Sequence, residues 1–486
     1  MQNFLTASRP WPVFTLTVLA PLVVFWLLLY QQGYPAPFED DLPLIGAALE
    51  LVRGGKLVNP FLAQWAEQTA DRYFVQPPFH SYTLAGWLAL TGISARSLLA
   101  FQCLCYLSFS IFTALILRTY RYPNWASIAI TIAFAFLMAG RGLRHDAFAM
   151  ALLAAGIWCL TCDRPWRYFW GFVLLGTALQ MPVNLAYGIA LGTALVGCHA
   201  WQRWQQKRCT LGYGLARLGA LLGAIALNFC LLLIAIDFQL RQFLDDLAWH
   251  AALRRAPVSR VPQTFWFFFS IGYNELLYGA LYAFYLFLLV ILWRRWAAAP
   301  ATLQLPSLVL VAGLGFNLLA YVNVLNYQFN FFCWVAVILL LAQLPVRSLV
   351  RRSLMVAGVL VFLLHYSPSV VALVAQERQV DPSQLATIRA YVRQHPDKLY
   401  SIDAAAARFV FDYRLPSHSV DWGLSNDDPA QIHPSSLAEK ETNEAWLIAS
   451  QQAKHIPELP DYPRAQLVGR TFESIPKYPY DLLLVK

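Results

Sequence analysis

The chain has 486 residues, of which 58% are hydrophobic and only 13% are charged. A soluble globular protein has about a quarter of its residues charged, so the composition excludes that class and predicts a polytopic membrane protein. The net charge is +9, yet residues 376–486 carry 12 Lys and Arg against 15 Asp and Glu. The basic excess therefore lies among the apolar segments, where it is typical of membrane loops and does not favour nucleic acid as a partner. All 8 cysteines fall in or beside apolar segments, which predicts no disulfide framework.

Eleven apolar runs are compatible with membrane-spanning helices. They cover residues 12–30, 97–117, 125–140, 146–162, 168–180, 183–200, 216–236, 264–293, 304–322, 327–344 and 353–374. No small-residue cleavage site follows the first run, so we expect it to be a retained anchor. A twelfth run, 79–94, is interpreted as short, tilted or re-entrant, and the chain is expected to have about 11–13 membrane helices.

The connections that are rich in Lys and Arg fall on one side of the membrane if each of the eleven runs crosses once. They contain Arg9, Arg118, Arg121, Arg164, Arg167, Arg203, Lys207, Arg208, Arg294, Arg295, Arg347, Arg351 and Arg352. Because cytoplasmic loops carry an excess of Lys and Arg, we expect this side and the N-terminus to be cytoplasmic. Residues 31–96, 141–145, 237–263 and everything after 375 are then on the outer side.

The first outer loop, 31–78, begins with acidic residues and ends with a Pro-Pro pair. These residues are Glu39, Asp40 and Asp41 at the start, and Gln76, Pro77, Pro78, Phe79 and His80 at the end. Between them, 42–52 and 61–70 have helical periodicity, separated by the breakers Gly54, Gly55, Asn59 and Pro60. Both segments are too short to span a bilayer, so we expect them to lie along the interface. The acids also fit a solvated helix N-terminus, where the helix dipole favours carboxylates.

Two further outer segments collect charged residues. The first holds Arg141, Arg144, His145 and Asp146, and the second holds Asp245, Asp246, His250, Arg254, Arg255 and Arg260. Arginines on an outer face run against the positive-inside bias, so we expect an anionic ligand to compensate for them. The alternative is that the three arginines of the second segment pair with its aspartates or with lipid headgroups.

Residues 376–486 have the composition of a soluble domain. The pattern predicts an amphipathic helix at 382–394 and short buried strands at 399–402, 445–449, 467–469 and 482–485. About 110 residues suffice for one small α/β domain. The sequence of this region contains no Gly-rich phosphate loop, Ser/His/Asp arrangement or zinc pattern, so we interpret it as a lid or an acceptor-docking module.

The outer acids indicate group transfer. Carboxylates such as Asp40, Asp41 and Asp146 can take a proton from an attacking hydroxyl or hold a divalent metal. Arginines nearby can hold a phosphate leaving group through bidentate hydrogen bonds. Such a site would move a group from a phosphorylated, membrane-embedded donor to an outer acceptor. The apolar runs are nearly free of charges, which argues against a proton-coupled transporter.

The order of features in the first loop resembles the GT-C glycosyltransferases. It comprises an acidic pair, an Ala-containing amphipathic stretch that ends in Arg53, Gly54 and Gly55, and the Pro-Pro pair. The similar branch includes the protein O-mannosyltransferases and the lipid A aminoarabinose transferases, whose loop reads Asp-Glu, an Ala-containing helix, a glycine and Lys-Pro-Pro. Asp40 and Asp41 fall on the two acids of that pattern, with Ala48 and Gly54 in register.

The resemblance extends to a second acidic segment but does not hold at the residue before the Pro-Pro pair. Arg144, His145 and Asp146 are similar to the family's second acidic site at the outer end of a span. The family's Lys before Pro-Pro, which is expected to bind the donor phosphate, is Gln76 here. Because Gln carries no charge, phosphate binding must rely on other residues, with Arg72 as the nearest candidate.

By this resemblance, the protein is expected to be an inverting hexosyl- or pentosyltransferase of the plasma (inner) membrane, with 1–375 as the catalytic membrane domain and 376–486 as an extracytoplasmic domain. Its implied donor is a polyprenyl-phosphate-linked sugar, and its acceptor is a lipid, a glycan or a protein on the outer face. Asp40 would be the general base, and Asp41 and Asp146 would be orienting groups or the ligands of a divalent metal.

The remaining implied site residues bind the two substrates. The donor phosphate would be contacted by Arg72, Gln76, Arg144, Arg254, Arg255 and Arg260. The acceptor or the sugar would be contacted by Glu39, Tyr73, His80 and His145. Surrounding membrane lipids are the other expected partners.

Two other functions fit the same composition. A transporter or flippase of lipid-linked sugars would need a polar pathway through the bundle, and its candidate residues are Gln180, Asn184, Asn228, Asn317, Asn323 and Asn326. The alternative for these amides is hydrogen bonding between helices. An envelope glycan ligase or polymerase would share the topology but would release a lipid diphosphate rather than a monophosphate.

Overall fold

The structure, a computed structural model, describes part of the chain. The described residues are 10–31, 41–59, 62, 66–119, 124–125, 127–128, 131, 143, 145–161, 165–179, 210–253, 287, 290, 349–350, 353, 356–357, 360, 399–403, 419–421, 444–450 and 481–485. The side chains of Asp41, Leu42 and Pro43 are among those that are not described. Six predicted site residues lie outside these ranges, and one further residue, Asp41, is described by its backbone alone.

Eight helices follow one another in the described ranges. They are α1 Trp11–Gln31, α2 Asp41–Gly54, α3 Phe79–Thr91, α4 Ala95–Thr119, α5 Asp146–Thr161, α6 Pro165–Leu179, α7 Leu211–Ala235 and α8 Leu240–Leu253. Within α1, a π-helical turn, Thr15–Leu19, joins the α-helical parts Trp11–Phe14 and Ala20–Gln31. The apolar runs predicted at 12–30, 97–117, 146–162, 168–180 and 216–236 are therefore confirmed as helices.

Three of the described helices are long and apolar enough to cross a membrane: Trp11–Gln31, Arg96–Thr119 and Gly214–Ala235. A shorter apolar helix, Asp146–Leu160, has the same character. The runs predicted at 183–200, 304–322 and 327–344 lie outside the described residues, and those at 125–140, 264–293 and 353–374 are described at a few positions only. The expected total of membrane helices stays a prediction.

Helices α1 and α4 pack antiparallel. Phe14 near the start of α1 lies in one apolar cluster with Ala114 near the end of α4. Further along, the Trp26 indole stacks on Tyr106 with ring centroids 5.0 Å apart and donates a hydrogen bond from Nε1 to Ser110 Oγ at 2.9 Å. The indole N–H is thus satisfied inside an otherwise apolar interface, as a buried tryptophan requires.

Helices α5 and α6 approach each other closely through two glycines. A Cβ atom on Gly171 would lie 2.9 Å from the Leu160 side chain and 3.2 Å from the Gly156 carbonyl oxygen. A Cβ on Gly156 would lie 2.9 Å from Leu175 Cγ. Small residues let helix backbones meet in a membrane protein, so these two positions set the spacing of α5 and α6.

Helices α6 and α7 pack parallel, joined by Asn228. Asn228 Nδ2 donates to the Val173 carbonyl at 3.2 Å and to the Ala224 carbonyl at 3.0 Å, and Thr177 Oγ1 donates to Asn228 Oδ1 at 3.0 Å. Asn228 therefore makes the interhelical hydrogen bonds that were the alternative to a transport pathway. The parallel relation of α6 and α7 is the one expected if a predicted run, 183–200, crosses between them.

One end of the bundle, which we call the arginine end, carries Arg118, Arg167 and Arg217. Arg118 lies over the Trp11 ring at 3.7 Å from its centroid, so the end of α4 meets the start of α1. Arg167 lies 4.9 Å from the Trp158 centroid and Arg217 lies 3.9 Å from that of Tyr168. The cations predicted to be cytoplasmic at Arg118 and Arg167 thus occupy the same end.

Four strands form one sheet in the C-terminal region. They are β1 Leu399–Asp403, β2 Ser419–Asp421, β3 Glu444–Ser450 and β4 Asp481–Val485, in the order β2-β1-β3-β4. β1 is parallel to β2 and β3, with Ser401 opposite Ser419 and Trp446, and β4 is antiparallel to β3. The strand predictions at 399–402, 445–449 and 482–485 are confirmed, whereas 467–469 and the helix at 382–394 lie outside the described residues. The sequence missed β2, because its 3 residues are fewer than a strand pattern needs.

Candidate active site

The first loop begins with α2 and folds back on itself. Asp41 is the first residue of α2, and the predicted breaker Gly55 follows its end with a φ of 69°, the left-handed conformation that glycine adopts without steric cost. Two backbone hydrogen bonds then close the loop: Tyr73 N to Leu57 O at 2.8 Å and Asn59 N to Thr69 O at 2.7 Å.

The predicted helix at 61–70 is wrong where it is described, because Glu67–Ala70 is a 3₁₀ turn. Thr69 Oγ1 donates to the Ala66 carbonyl at 2.7 Å, and the Thr69 backbone N–H donates to the same oxygen at 2.8 Å. The Thr69 carbonyl in turn accepts from Asn59. Local side-chain bonding and pairing across the loop thus replace the i to i−4 ladder of an α-helix.

The end of the loop is held from two sides by apolar contacts. Tyr73 and Val75 are buried in a cluster with Ala47 of α2, against which Trp249 of α8 packs. Phe74 is buried with Ile236 and Phe243, and its ring lies 6.2 Å from that of Phe243. The segment from residue 72 to residue 75 is therefore fixed between α2 and α8.

An ion pair joins the same segment to α8. Arg72 Nε donates to Asp246 Oδ2 at 2.9 Å, and Arg72 Nη2 donates to Asp246 Oδ1 at 3.1 Å. The Asp246 side chain is 7% exposed and that of Arg72 is 35% exposed. Hydrogen bonding to Asp246 raises the pKa of Arg72 above its ordinary value, against the opposing effect of burial. Arg72, predicted to bind the donor phosphate, thus already has a carboxylate on one edge of its guanidinium.

A second polar group lies where α3 and α5 begin. The rings of His80 and His145 are 5.9 Å apart, and His145 Nε2 lies 3.5 Å from Asp146 Oδ1. All three residues are buried, and Phe101 and Phe148 pack around His80 with ring centroids at 6.0 and 6.1 Å. The structure thus brings together three predicted site residues that the sequence separates by 66 positions between the first and the last.

His80 is neutral near pH 7. It lies in the first turn of α3, whose 13 residues extend about 20 Å and are too few for a full span. Burial and the neighbouring His145 outweigh the carboxylate of Asp146 and lower the pKa of His80 to about 3. Its Nε2 atom has no hydrogen-bond partner among the described residues. The group therefore places the neutral imidazole of His80 next to His145, which in turn lies against the buried carboxylate of Asp146.

Of the other predicted site residues, some are described by the structure and others lie outside the described ranges. Gln76 is half-buried in the loop just before Pro77. The predicted residues outside the described ranges are Glu39, Asp40, Arg144, Arg254, Arg255 and Arg260. No group of three or more described His, Cys, Asp or Glu side chains could hold a metal ion. The metal role of Asp40, Asp41 and Asp146 stays a prediction.

Asp246 is the residue whose role the sequence reasoning missed. The sequence offered the arginines that follow it only as one alternative partner, whereas its partner in the structure is Arg72, 174 positions earlier. A local signal was present, since Asp246 lies three residues after Phe243 and three before Trp249, on the apolar face of an amphipathic helix. A carboxylate in that position needs a partner, but the pattern does not say which residue supplies it.

The helices and their apolar character define a helical membrane protein, as predicted. The sequence matches no protein-family model and no curated protein. In structure, the chain is similar to ArnT from Cupriavidus metallidurans, which was crystallised bound to undecaprenyl phosphate. The TM-score is 0.53 at 14% sequence identity, and the likeness covers 96% of this chain and 97% of that one. The likeness extends over the whole fold and does not single out the O-mannosyltransferase branch.

Proposed function

We propose that the protein is a membrane glycosyltransferase that takes a sugar from a polyprenyl-phosphate-linked donor and transfers it to an acceptor on the outer face. The observation that carries the proposal is the likeness in fold to ArnT over 96% of the chain, because that structure holds undecaprenyl phosphate. The buried group of His80, His145 and Asp146 and the partly exposed side chain of Arg72 supply polar groups at the two ends of the segment from residue 72 to residue 80.

In the proposed reaction, Asp40 acts as the general base. The acceptor hydroxyl attacks the anomeric carbon on the side opposite the phosphate, and its proton passes to the Asp40 carboxylate. The bond between the anomeric carbon and the phosphate oxygen breaks, and the polyprenyl monophosphate leaves with that electron pair. Asp41, at the start of α2, and Asp146, at the start of α5, orient the acceptor and the sugar.

The donor phosphate is assigned to cationic side chains. Arg72 and Arg144 are the first choices, with Arg254, Arg255 and Arg260 as further contacts, because a guanidinium can bind two phosphate oxygens at once. Gln76 adds a neutral hydrogen-bond donor. Glu39 and Tyr73 are assigned to the acceptor or the sugar together with the two histidines.

We place the arginine end in the cytoplasm and the loop in the extracytoplasmic space of the inner membrane. The concentration of Arg118, Arg167 and Arg217 at one end supports this orientation, because positively charged residues stay on the cytoplasmic side. Residues 376–486 are then an extracytoplasmic α/β domain that contains the four-stranded sheet and serves as a lid or as an acceptor-docking module.

The test is mass spectrometry of envelope glycolipids, polysaccharides and glycoproteins from a strain that lacks the gene. Complementation with wild type is expected to restore one sugar on one glycan, and Asp40→Asn is expected to lower turnover by about 10²- to 10⁴-fold at equal abundance in the membrane. Asp71→Asn is the matched control, because Asp71 is an exposed carboxylate on the same loop. Full complementation by Asp40→Asn would remove that residue from the mechanism.

The lipid product distinguishes the proposal from the other functions. Release of a polyprenyl monophosphate is expected. A diphosphate product would instead indicate an envelope ligase or polymerase, and an envelope with no altered glycan would favour a transporter.

A further inference from the structure

Among the described residues, Asp246 alone bonds the Arg72 guanidinium, and it does so along one edge. Nε and one N–H of Nη2 bond the two oxygens of Asp246 at 2.9 and 3.1 Å. A guanidinium has five N–H donors, so the other three point away from this pair, two at Nη1 and one at Nη2. Nη1 and Nη2 together form a second fork, which matches two oxygens of a phosphate in the same planar manner.

Burial differs between the two partners in a way that suits this arrangement. The Asp246 side chain is 7% exposed, whereas that of Arg72 is 35% exposed. The carboxylate is therefore largely removed from water and depends on Arg72, while part of the guanidinium stays open. An ion pair with this asymmetry holds the guanidinium in one orientation and leaves part of the Arg72 side chain accessible to a ligand.

The backbone on both sides of the pair is fixed by packing. Next to Arg72, Tyr73 lies in the cluster that Trp249 covers, and Phe74 is buried against Phe243. On α8, Trp249 lies three positions after Asp246, and Phe243 lies three positions before it. Because the two segments are held together by apolar contacts around the ion pair, the side chains lose little further freedom when a ligand arrives.

We propose that Asp246 is a positioning residue for the donor: it holds one edge of the Arg72 guanidinium so that the adjoining edge, formed by Nη1 and Nη2, binds the phosphate of the polyprenyl-phosphate-linked sugar. This inference rests on the proposed function, in which Arg72 contacts that phosphate. It also accounts for Gln76, because a pre-oriented arginine supplies the charge that the residue before the Pro-Pro pair lacks.

The direction in which Asp246→Asn changes the affinity for undecaprenyl phosphate tests the proposal. The full chain is purified in detergent, and the affinities for undecaprenyl phosphate and for undecaprenol are measured by quenching of tryptophan fluorescence. Asp246→Asn is expected to weaken undecaprenyl phosphate binding about fivefold and to leave undecaprenol binding unchanged. Removing a negative charge would by itself favour an anion, so a weaker affinity cannot come from net charge.

Asp245→Asn is the matched control. Asp245 is exposed and adjacent in sequence, so its substitution makes the same change in charge without touching the pair. It is expected to leave the affinity unchanged or to raise it slightly. In an Arg72→Gln background, Asp246→Asn is expected to have no further effect, because the residue acts through Arg72.

Each failure has a distinct meaning. A wild-type protein that binds undecaprenol as tightly as undecaprenyl phosphate overturns the proposed phosphate donor itself. A wild-type protein that prefers the phosphate, combined with an Asp246→Asn variant that binds it equally or more tightly, overturns the positioning role alone. If Asp246→Asn weakens phosphate binding equally in the wild-type and in the Arg72→Gln background, that role is also overturned, because the effect would then come from a change in the fold. If Asp246→Asn does not fold, Asp246→Glu, which keeps the charge but shifts the carboxylate, is expected to weaken phosphate binding, and unchanged binding would refute the proposal.

Discussion

The two ends of the bundle treat their charged residues in opposite ways. At the arginine end, Arg118 and Arg217 lie over the faces of Trp11 and Tyr168, at 3.7 and 3.9 Å from the ring centroids. At the other end, which we call the loop end and which comprises residues 55–78 with the starts of α3 and α5 and with α8, aspartates are buried beside histidines or an arginine. One end thus keeps cations on aromatic rings, and the other removes carboxylates from water.

This difference suggests that the arginine end anchors the helices at the membrane interface, whereas the loop end carries out the reaction. A cation over an aromatic ring contributes only about 0.5–1 kcal/mol at an exposed site, and it suits a helix end at a membrane interface. Burying a carboxylate costs several kcal/mol before its partner compensates, so a fold gains little stability from it. Buried carboxylates such as Asp146 and Asp246 are therefore better explained by function, and the comparison predicts that substitutions at the two ends have unlike effects.

The largest effect is expected at the loop end. Asp146→Asn replaces a buried carboxylate by a neutral amide of the same shape, and we expect transfer activity to fall by about 10²-fold at unchanged abundance. Arg167→Gln at the arginine end is the control and is expected to retain activity. Restoration of the glycan to the same level by both variants would erase the functional difference between the ends.

The next largest effect lies between the ends, where α5 meets α6. Gly171→Leu would force a side chain into space already occupied by Leu160 and by the Gly156 backbone, with an expected loss of about 1–3 kcal/mol of stability. We expect a lower melting temperature in detergent and less protein in the membrane. Gly219→Ala on α7, where nothing lies within 4 Å of an added Cβ, is expected to be neutral. A normal melting temperature for Gly171→Leu would contradict the close packing of α5 and α6.

The smallest effect is expected at the arginine end. Arg118→Gln removes the cation from the Trp11 and Phe14 rings, and we expect a loss of about 0.5–1 kcal/mol in stability with activity per folded molecule unchanged. Arg118→Lys keeps a cation and is expected to lose less. A large loss of activity per folded molecule in Arg118→Gln would show that this end also takes part in function.

Local patterns predicted the helices well and the loop poorly. The amphipathic stretch at 42–52 corresponds to α2, Asp41–Gly54, and Gly55 ends it as a breaker should, because both depend on residues close in sequence. The segment at 61–70 has similar periodicity but contains a 3₁₀ turn. Its competing hydrogen bonds come from Asn59 and from the Thr69 hydroxyl, which a hydrophobic pattern does not register.

The candidate site shows the same division. The sequence identified His80 at the end of the first loop and His145 with Asp146 in a second outer segment, and the structure places the three together where α3 and α5 begin. The sequence also singled out Asp246, but the nearby arginines were the only partners it suggested, as one of two alternatives, and it did not suggest Arg72. An ion pair across 174 positions depends on how α8 packs against the loop, and no local pattern encodes that distance.

The sequence by itself determined that this is a helical membrane protein, which segments are apolar enough to form its helices, and which polar residues stand at their ends. These properties follow from composition and short-range periodicity, since each helix satisfies its own backbone hydrogen bonds. Only the tertiary structure decided which of those polar residues meet. Contacts such as those of Arg72 with Asp246 and of His80 with His145 form because apolar packing brings distant segments together.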